Sequence, residues 1–150
     1  MLVAFDLDGT LANIDHRLHH VKNKPKCWVK FNEGIKDDLP NLLVVEVLKS
    51  LRASGHDIIF MSARQESCRE ETEKWLVKNG ISAENPLLLY MRDDKDYRED
   101  SLVKEEMLEQ VRLDFGKWPD MMFDDRPRVV KAIRSRGVFV FDVYQGSEDF

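Results

Sequence analysis

With 150 residues, 43% hydrophobic and 34% charged, the chain has the composition of one globular domain that can bury a core without cross-links, which excludes disordered and fibrous classes. A formal net charge of -5 argues against non-specific binding along a nucleic-acid backbone, but not against recognition of a short or terminal stretch. No apolar run approaches a membrane span, the N-terminus carries no basic leader, and Cys27 and Cys68 lack any metal-ligand spacing. These features lead us to expect a cytoplasmic protein with reduced thiols and no membrane partner.

Leu2–Phe5 is a short apolar run and reads as a buried strand. The region after it is broken by Pro25 and Pro40, so 14–36 reads as an irregular or partly helical insertion. That insertion is basic: 14–31 carries Arg17, Lys22, Lys24, Lys26 and Lys30 against a single acid, Asp15. A helix from about Asn41 to Ser54 follows, with Leu42, Val45, Leu48 and Leu51 as its apolar positions and Gly55 as its stop. Asp57–Met61 reads as a second strand, Glu66–Asn79 as a helix ended by Gly80, and Leu87–Met91 as a third strand entered after Pro86. A charged loop spans 93–100. The helix Ser101–Phe115 presents Leu102, Met107, Leu108 and Val111. Met121–Phe123 is the centre of a fourth strand, Pro127 opens a helix closed by Gly137, and Val138–Val143 is a fifth strand. Strands alternating with helices imply parallel pairing through right-handed crossovers, hence a three-layer, doubly wound α/β domain over 1–150 with a five-stranded sheet.

Ligands of such sheets gather beyond the carboxyl ends of the strands. There the sequence places Asp6, Asp8, Gly9 and Thr10 after the first strand and Ser62, Ala63 and Arg64 after the second. Arg92 follows the third, and Asp124, Asp125 and Arg126 follow the fourth. Asp6 and Asp8 lie two residues apart and can share one side of an extended chain. Gly9 permits the turn that follows. Converging carboxylates want a hard cation, and oxygen ligation suits magnesium. An acidic turn that only caps a helix is the bland alternative, and the second acidic pair, Asp124-Asp125, argues against it.

These segments resemble the motifs of the haloacid dehalogenase (HAD) superfamily of phosphohydrolases. Phe5-Asp6-Leu7-Asp8-Gly9-Thr10 resembles its first motif and Met61-Ser62-Ala63-Arg64 its second. Lys104 is the expected third-motif lysine, and Phe123-Asp124-Asp125-Arg126 resembles the fourth motif. The resemblance implies Asp6 as a nucleophile that forms an aspartyl-phosphate and Asp8 as the acid that protonates the leaving oxygen and then activates water. It implies magnesium held by Asp6, the Asp8 backbone carbonyl and Asp124. Asp125 is left with three roles: direct ligand, ligand through water, or a group that orients Lys104. Thr10 and Ser62 can donate to phosphate oxygens. Lys95 is the rival to Lys104, although no helix positions it. No large cap domain is expected.

A narrower resemblance is to the 3'-phosphatase domain of bacteriophage polynucleotide kinase-phosphatases and to small stand-alone phosphatases of phage and bacteria. It rests on Ser62-Ala63-Arg64, Thr72 and Trp75, then Arg92 through Lys104, then Asp124 through Gly137, and a tail ending in Phe150. It implies a phosphomonoester substrate, either a nucleotide or a single-stranded nucleic-acid 3' end. Arg64, Arg92 and Arg126 become substrate or salt-bridge candidates. The chain contains no Gly-x-x-x-x-Gly-Lys-Ser/Thr loop, so the kinase half is not carried over and no obligate protein partner is inferred. Within the insertion, Arg17 and the lysines can meet flanking phosphates and Trp28 or Phe31 can stack on a base. Alternatively, Trp28 anchors the insertion to the core and the lysines form a solvated face. Trp75 reads as packing. His16, His19 and His20 match no zinc signature, and 93–100 lacks the pattern of a calcium loop. A nucleotidase or small-metabolite phosphatase, and a non-catalytic module on the same fold, are the competing readings.

Overall fold

The computed structural model describes residues 1–83 and 88–146. Five parallel strands form the central sheet in the order β5-β4-β1-β6-β7, where β1 is Leu2–Phe5, β4 Asp57–Gln65, β5 Leu89–Arg92, β6 Met121–Asp124 and β7 Phe139–Asp142. The first strand lies at the centre, and the chain builds outward on one side of it before crossing to the other. That reversal opens a crevice at the carboxyl ends of β1, β4 and β6, the place where doubly wound sheets bind ligands.

The strands read as continuous apolar runs because both faces are covered. Val3 and Phe5 point into one core, shared with helices α3 (Leu42–Ala53) and α4 (Arg69–Lys78). Leu2 and Ala4 point into the other, shared with α5 (Asp100–Phe115) and α6 (Pro127–Ser135). On the first face Phe5 stacks on Phe123 at 4.5 Å, and Phe123 stacks on Phe141 at 4.7 Å. Each such pair adds roughly 0.5–1.5 kcal/mol beyond burial and ties β1, β6 and β7 together.

The insertion is closed at its base by a two-stranded antiparallel ribbon, β2 (Ala12–Asn13) with β3 (Leu39–Pro40). Sequence periodicity is blind to strands this short. Between them lie a 3-10 turn at Asp15–Arg17, the short helices α1 (His19–Lys22) and α2 (Trp28–Glu33), and a second 3-10 turn at Ile35–Asp37. The expected partly helical insertion is therefore present, and its inner residues Ile14, Leu18, Val21, Phe31 and Ile35 join the first core.

Some boundaries differ from expectation. β4 continues four residues past Met61, with a register irregularity between Met61 and Gln65, so Ser62, Ala63 and Arg64 belong to the strand itself. Leu42 is 71% exposed and is no core position; Val44, Val45 and Leu48 form the buried stripe of α3. Leu102 is likewise exposed, and its neighbours Val103 and Lys104 are buried. Leu87, Pro86 and the Phe150 tail lie outside the described residues. Among the described residues, no helix is long and apolar enough to cross a membrane.

Candidate active site

Asp6 leaves β1 into the crevice, and Asp124 leaves β6 beside it. Between them comes Lys104, on the first turns of α5. Its Nζ donates to Asp6 Oδ1 at 2.7 Å and to Asp124 Oδ2 at 2.9 Å, with the side chain only 2% exposed. Lys104, rather than exposed Lys95, thus occupies the third-motif position, set by a helix that places it four residues after Asp100. Carboxylate oxygens of Asp6, Asp124 and Asp125 all lie within 4.8 Å of one another, the one such convergence of ligating side chains among the described residues. His16, His19 and His20 are not part of it.

Three carboxylates face one ammonium, which leaves about the charge of one divalent cation uncompensated. Burial pushes the Asp6 carboxyl well above the usual range, and repulsion from Asp124 and Asp125 adds to this against the pull of Lys104. Asp125 is pushed up to about 6, by burial first and Asp124 second. Hard oxygen donors, crowded and under-neutralised, fit magnesium.

Gly9 explains how Asp125 comes so near. Its φ is +84°, and a Cβ there would lie 2.0 Å from Asp125 Oδ2. The turn needs glycine twice over, for its backbone and for the space it leaves to the acid. Thr10 is fully buried, and its hydroxyl donates to Asp6 Oδ2 at 3.1 Å and lies 3.4 Å from Asp125 Oδ1. It orients the carboxylates. That differs from the expected direct donation to phosphate.

The Asp8 carboxylate turns away from the acidic cluster. Arg64 grips its Oδ1 through Nη2 at 2.5 Å and Nε at 3.0 Å, and Arg17 Nη2 adds a bond at 2.9 Å. Burial raises the Asp8 carboxyl, but the two guanidinium charges outweigh it and hold it down to about 2. Asp8 therefore brings no carboxylate to the metal cluster, and the expectation that Asp6 and Asp8 converge as a carboxylate pair is corrected.

Behind this grip stands a residue that sequence reasoning missed. Asp38, with a side chain wholly shielded from solvent, accepts from Arg17 Nε at 2.7 Å and Nη2 at 2.8 Å, from Arg64 Nη2 at 3.2 Å, and meets His16 Nε2 at 2.7 Å. Its carbonyl accepts from Trp75 Nε1 at 2.8 Å. Two acids and two guanidiniums, all but Asp8 buried, form a quartet that joins the insertion to the turn after β1. No motif flags Asp38, the second of two adjacent acids (Asp37-Asp38) just beyond the insertion at 14–36. The nearest signal is the Arg17–Asp38 charge complement bracketing it.

Arg17 therefore is not a surface base. It is 1% exposed, its guanidinium stacks 4.2 Å over the Phe31 ring, and Gly34 leaves room for it, since a Cβ there would lie 2.9 Å from its Cδ. The expectation that Arg17 reaches a flanking phosphate is overturned by this burial. Arg92 and Arg126 are also committed to the protein. Arg92 donates to the carbonyls of Ala63, Asp96 and Arg98 and to Asp100 Oδ1, and Arg126 pairs with Asp100 from the other side. Both realise the salt-bridge option that the sequence left open. Ser62 is buried, and its Oγ accepts from the Arg64 amide at 3.2 Å.

Asp6, Asp8, Ser62, Lys104, Asp124 and Asp125 line the inner part of a cleft of about 560 Å³. Its outer part is lined by Trp28 and Lys26 from the insertion and by Tyr97 and Arg98 from the charged loop. Trp28 is 48% exposed and meets Phe31 edge-on at 5.6 Å. Phe31, buried under Arg17, is the anchor, and Trp28 lies at the rim. Both cysteines are free, and burial raises the Cys68 thiol further from reactivity.

A doubly wound sheet with a buried lysine set within an acidic triad at its carboxyl edge defines a phosphohydrolase of the HAD superfamily. Residues 1–150 match the family model of the polynucleotide kinase PNKP phosphatase domain, and the chain belongs to that family. It is similar to a putative bifunctional polynucleotide kinase/RNA ligase of Autographa californica nuclear polyhedrosis virus, 32% identical over 133 residues, which are 86% of this chain and 17% of that one. A putative nucleotidase of Bacillus cereus is 26% identical over 97 residues, 65% of this chain and 44% of that protein. Among solved structures, a chain of the Pnkp1/Rnl/Hen1 RNA repair complex superposes with a TM-score of 0.77 at 32% identity, covering 97% of this chain and 43% of its own. The class C acid phosphatase from Bacillus anthracis, at 20% identity and a TM-score of 0.67 over 96% of this chain and 66% of its own, shares the fold. The chain spans less than half the length of the two sequence relatives and of the RNA repair chain.

Proposed function

We infer that the chain is a magnesium-dependent phosphomonoesterase that removes the 3'-phosphate from nucleotides or short single-stranded nucleic-acid ends through an aspartyl-phosphate on Asp6. The observation that carries this is Lys104 held between Asp6 and Asp124 at the floor of a cleft whose mouth presents Trp28, Tyr97 and Lys26.

A carboxylate cannot approach a phosphate that carries about two negative charges without neutralisation. Asp6 and Asp124, with the Asp8 carbonyl and with Asp125 directly or through water, would hold a magnesium ion, which would supply that positive charge. Lys104 adds its own charge and fixes the Asp6 carboxylate for attack. An Asp6 oxygen then bonds to phosphorus as the bond to the leaving oxygen breaks, and Asp8 delivers a proton to that oxygen. Asp8, now ionised, takes a proton from the water that attacks the phosphoryl group, which frees phosphate and Asp6. The grip of Arg64 and Arg17 favours the ionised form needed in the second half. In the first half the phosphate charge beside Asp8 opposes that grip and raises its proton affinity.

The nucleic-acid reading draws on the family match and on the relatives described as polynucleotide kinase and RNA repair proteins. Similarity to the putative nucleotidase favours a second reading, a nucleotidase indifferent to flanking nucleotides. The test compares a 3'-phosphorylated mononucleotide with di- and tetranucleotides bearing the same end, at two salt concentrations. It is run beside a panel of other phosphomonoesters, with Asp6→Asn as the blank. We expect kcat/KM to rise with length and the gain to shrink with salt. A flat profile with fast mononucleotide hydrolysis selects the nucleotidase. Inactivity on every 3'-phosphate, with turnover of another phosphomonoester, overturns the 3'-end reading.

A further inference from the structure

The rim of the cleft holds an aromatic residue that the catalytic scheme does not use. Tyr97 is 84% exposed, a large ring on a loop where packing gains it nothing. The loop around it is nevertheless tightly organised. Arg92 reaches out from the end of β5 and donates through one nitrogen to the carbonyls on either side, Asp96 at 3.0 Å and Arg98 at 2.6 Å. Arg98 folds back on the Asp96 carboxylate at 2.7 Å, and the Asp96 amide closes a turn onto the Asp93 carbonyl. The backbone on both sides of residue 97 is thus pinned from inside the site, and the ring is presented outward over the cleft. Trp28 lines the same cleft from the insertion, with the Lys26 ammonium 5.8 Å from its ring.

Resting on the 3'-end reading, we propose that Tyr97, together with Trp28, forms a stacking subsite for the nucleobase next to the reacting nucleotide, which makes Tyr97 a specificity-determining residue. The chemistry favours a base over an apolar partner. A docking surface for apolar side chains is a contiguous apolar patch, whereas Tyr97 stands between Asp96 and Arg98, and Trp28 stands near a lysine. The Lys26 ammonium beside Trp28 suits a ring joined to a phosphate, and stacking on an exposed aromatic face tolerates any base. A cleft of about 560 Å³ is the size of a small-molecule site, with room for a terminal nucleotide and the base beside it. Pre-ordering of the loop keeps the cost of binding low, because residue 97 need not be immobilised when the base arrives.

The experiment uses two 3'-phosphorylated dinucleotides, one intact and one lacking the base on its 5' residue, so that the flanking phosphate is the same in both. For the parent enzyme we expect kcat/KM to favour the intact dinucleotide by about fivefold or more, the lower end of what one stacked base contributes. Tyr97→Ala brings the ratio close to one, Tyr97→Phe retains it, and Trp28→Ala lowers it, with circular dichroism of all variants matching the parent. A Tyr97→Ala ratio equal to that of the parent removes Tyr97 from the subsite. A parent ratio of one shows that no flanking base is read and overturns the inference while leaving 3'-phosphatase activity in place. Failure of the parent enzyme on both dinucleotides, with another phosphomonoester hydrolysed, overturns the 3'-end reading and this subsite with it.

Discussion

Lys104 combines two tasks in one side chain. It is buried among Val103, Met107 and Leu108, an environment that alone would strip its proton, yet Asp124 and Asp6 raise its pKa above the ordinary lysine value and keep it charged. Lys104→Met therefore removes a fixed charge from the reacting phosphate, and we expect kcat to fall by about 10²–10³-fold. The same change leaves three crowded carboxylates without their ammonium, so stability falls too, by roughly 3–5 kcal/mol when magnesium is absent. Lys95→Ala, at an exposed loop position, should leave both quantities near those of the parent. Steady-state kinetics with chemical denaturation checks this, and a dispensable Lys104 would mean that another group neutralises the phosphate. Asp38 acts at one remove. Its negative charge shares Arg17 and Arg64 with Asp8, and Asp38→Asn would turn both cations wholly onto Asp8 and make its proton harder to obtain. An alkyl phosphate needs that proton at the leaving oxygen and p-nitrophenyl phosphate scarcely does. The variant should lose about tenfold or more on the former, within the range of general acid catalysis, and much less on the latter. Equal losses on both would mark Asp38 as structural only. The sequence displayed Lys104 because hydrophobic neighbours and a helical period frame it. It concealed Asp38, whose meaning depends on which basic residues fold back onto it.

At the level of elements, the central strands were legible because each is an apolar run that ends in acids or hydroxyls. The insertion was legible only as an interruption. Its basic composition left open whether its cations meet a ligand or form a solvated face, and burial divides them: Lys22, Lys24, Lys26 and Lys30 are exposed, whereas Arg17 is an internal bolt. The closing ribbon of two-residue strands escapes any pattern, since alternation needs more positions than it has. Arg17 bonds to Asp8, Asp38 and the Phe31 carbonyl, so it fastens the 3-10 turn to α2, to the ribbon and to the catalytic turn at once. Arg17→Met keeps the aliphatic contact with Phe31 and removes the charge. We expect a stability loss of about 3–5 kcal/mol from the unpaired acids, together with early proteolytic cleavage inside 14–38 under conditions where the parent resists. An unchanged cleavage pattern would show that the apolar residues Val21, Phe31 and Ile35 hold the insertion unaided.

For the whole molecule, the acidic cluster links folding, protons and the cation. A carboxyl whose folded pKa lies above its unfolded value binds more protons in the folded state between the two, so stability falls as pH rises through that interval. Asp125, raised from 3.8 to about 6, sets the interval, and Asp6 is displaced in the same direction. Asp8, held down to about 2, has the opposite sign, but its contribution is lost only below about pH 4 and does not oppose the trend above it. In excess chelator the protein should therefore melt at a higher temperature at pH 5 than at pH 7. Magnesium requires the carboxylates ionised, so it replaces the protons, and its gain in melting temperature should be larger at pH 7, where no proton must first leave. Calcium, which favours more ligands at longer distances, should stabilise the fold yet support little turnover. Thermal melts at the two pH values, with and without each ion, read all of this without relying on activity. A chelated protein more stable at pH 7 than at pH 5, with no response to magnesium at either, would show that Asp6, Asp124 and Asp125 do not bind the cation as a group.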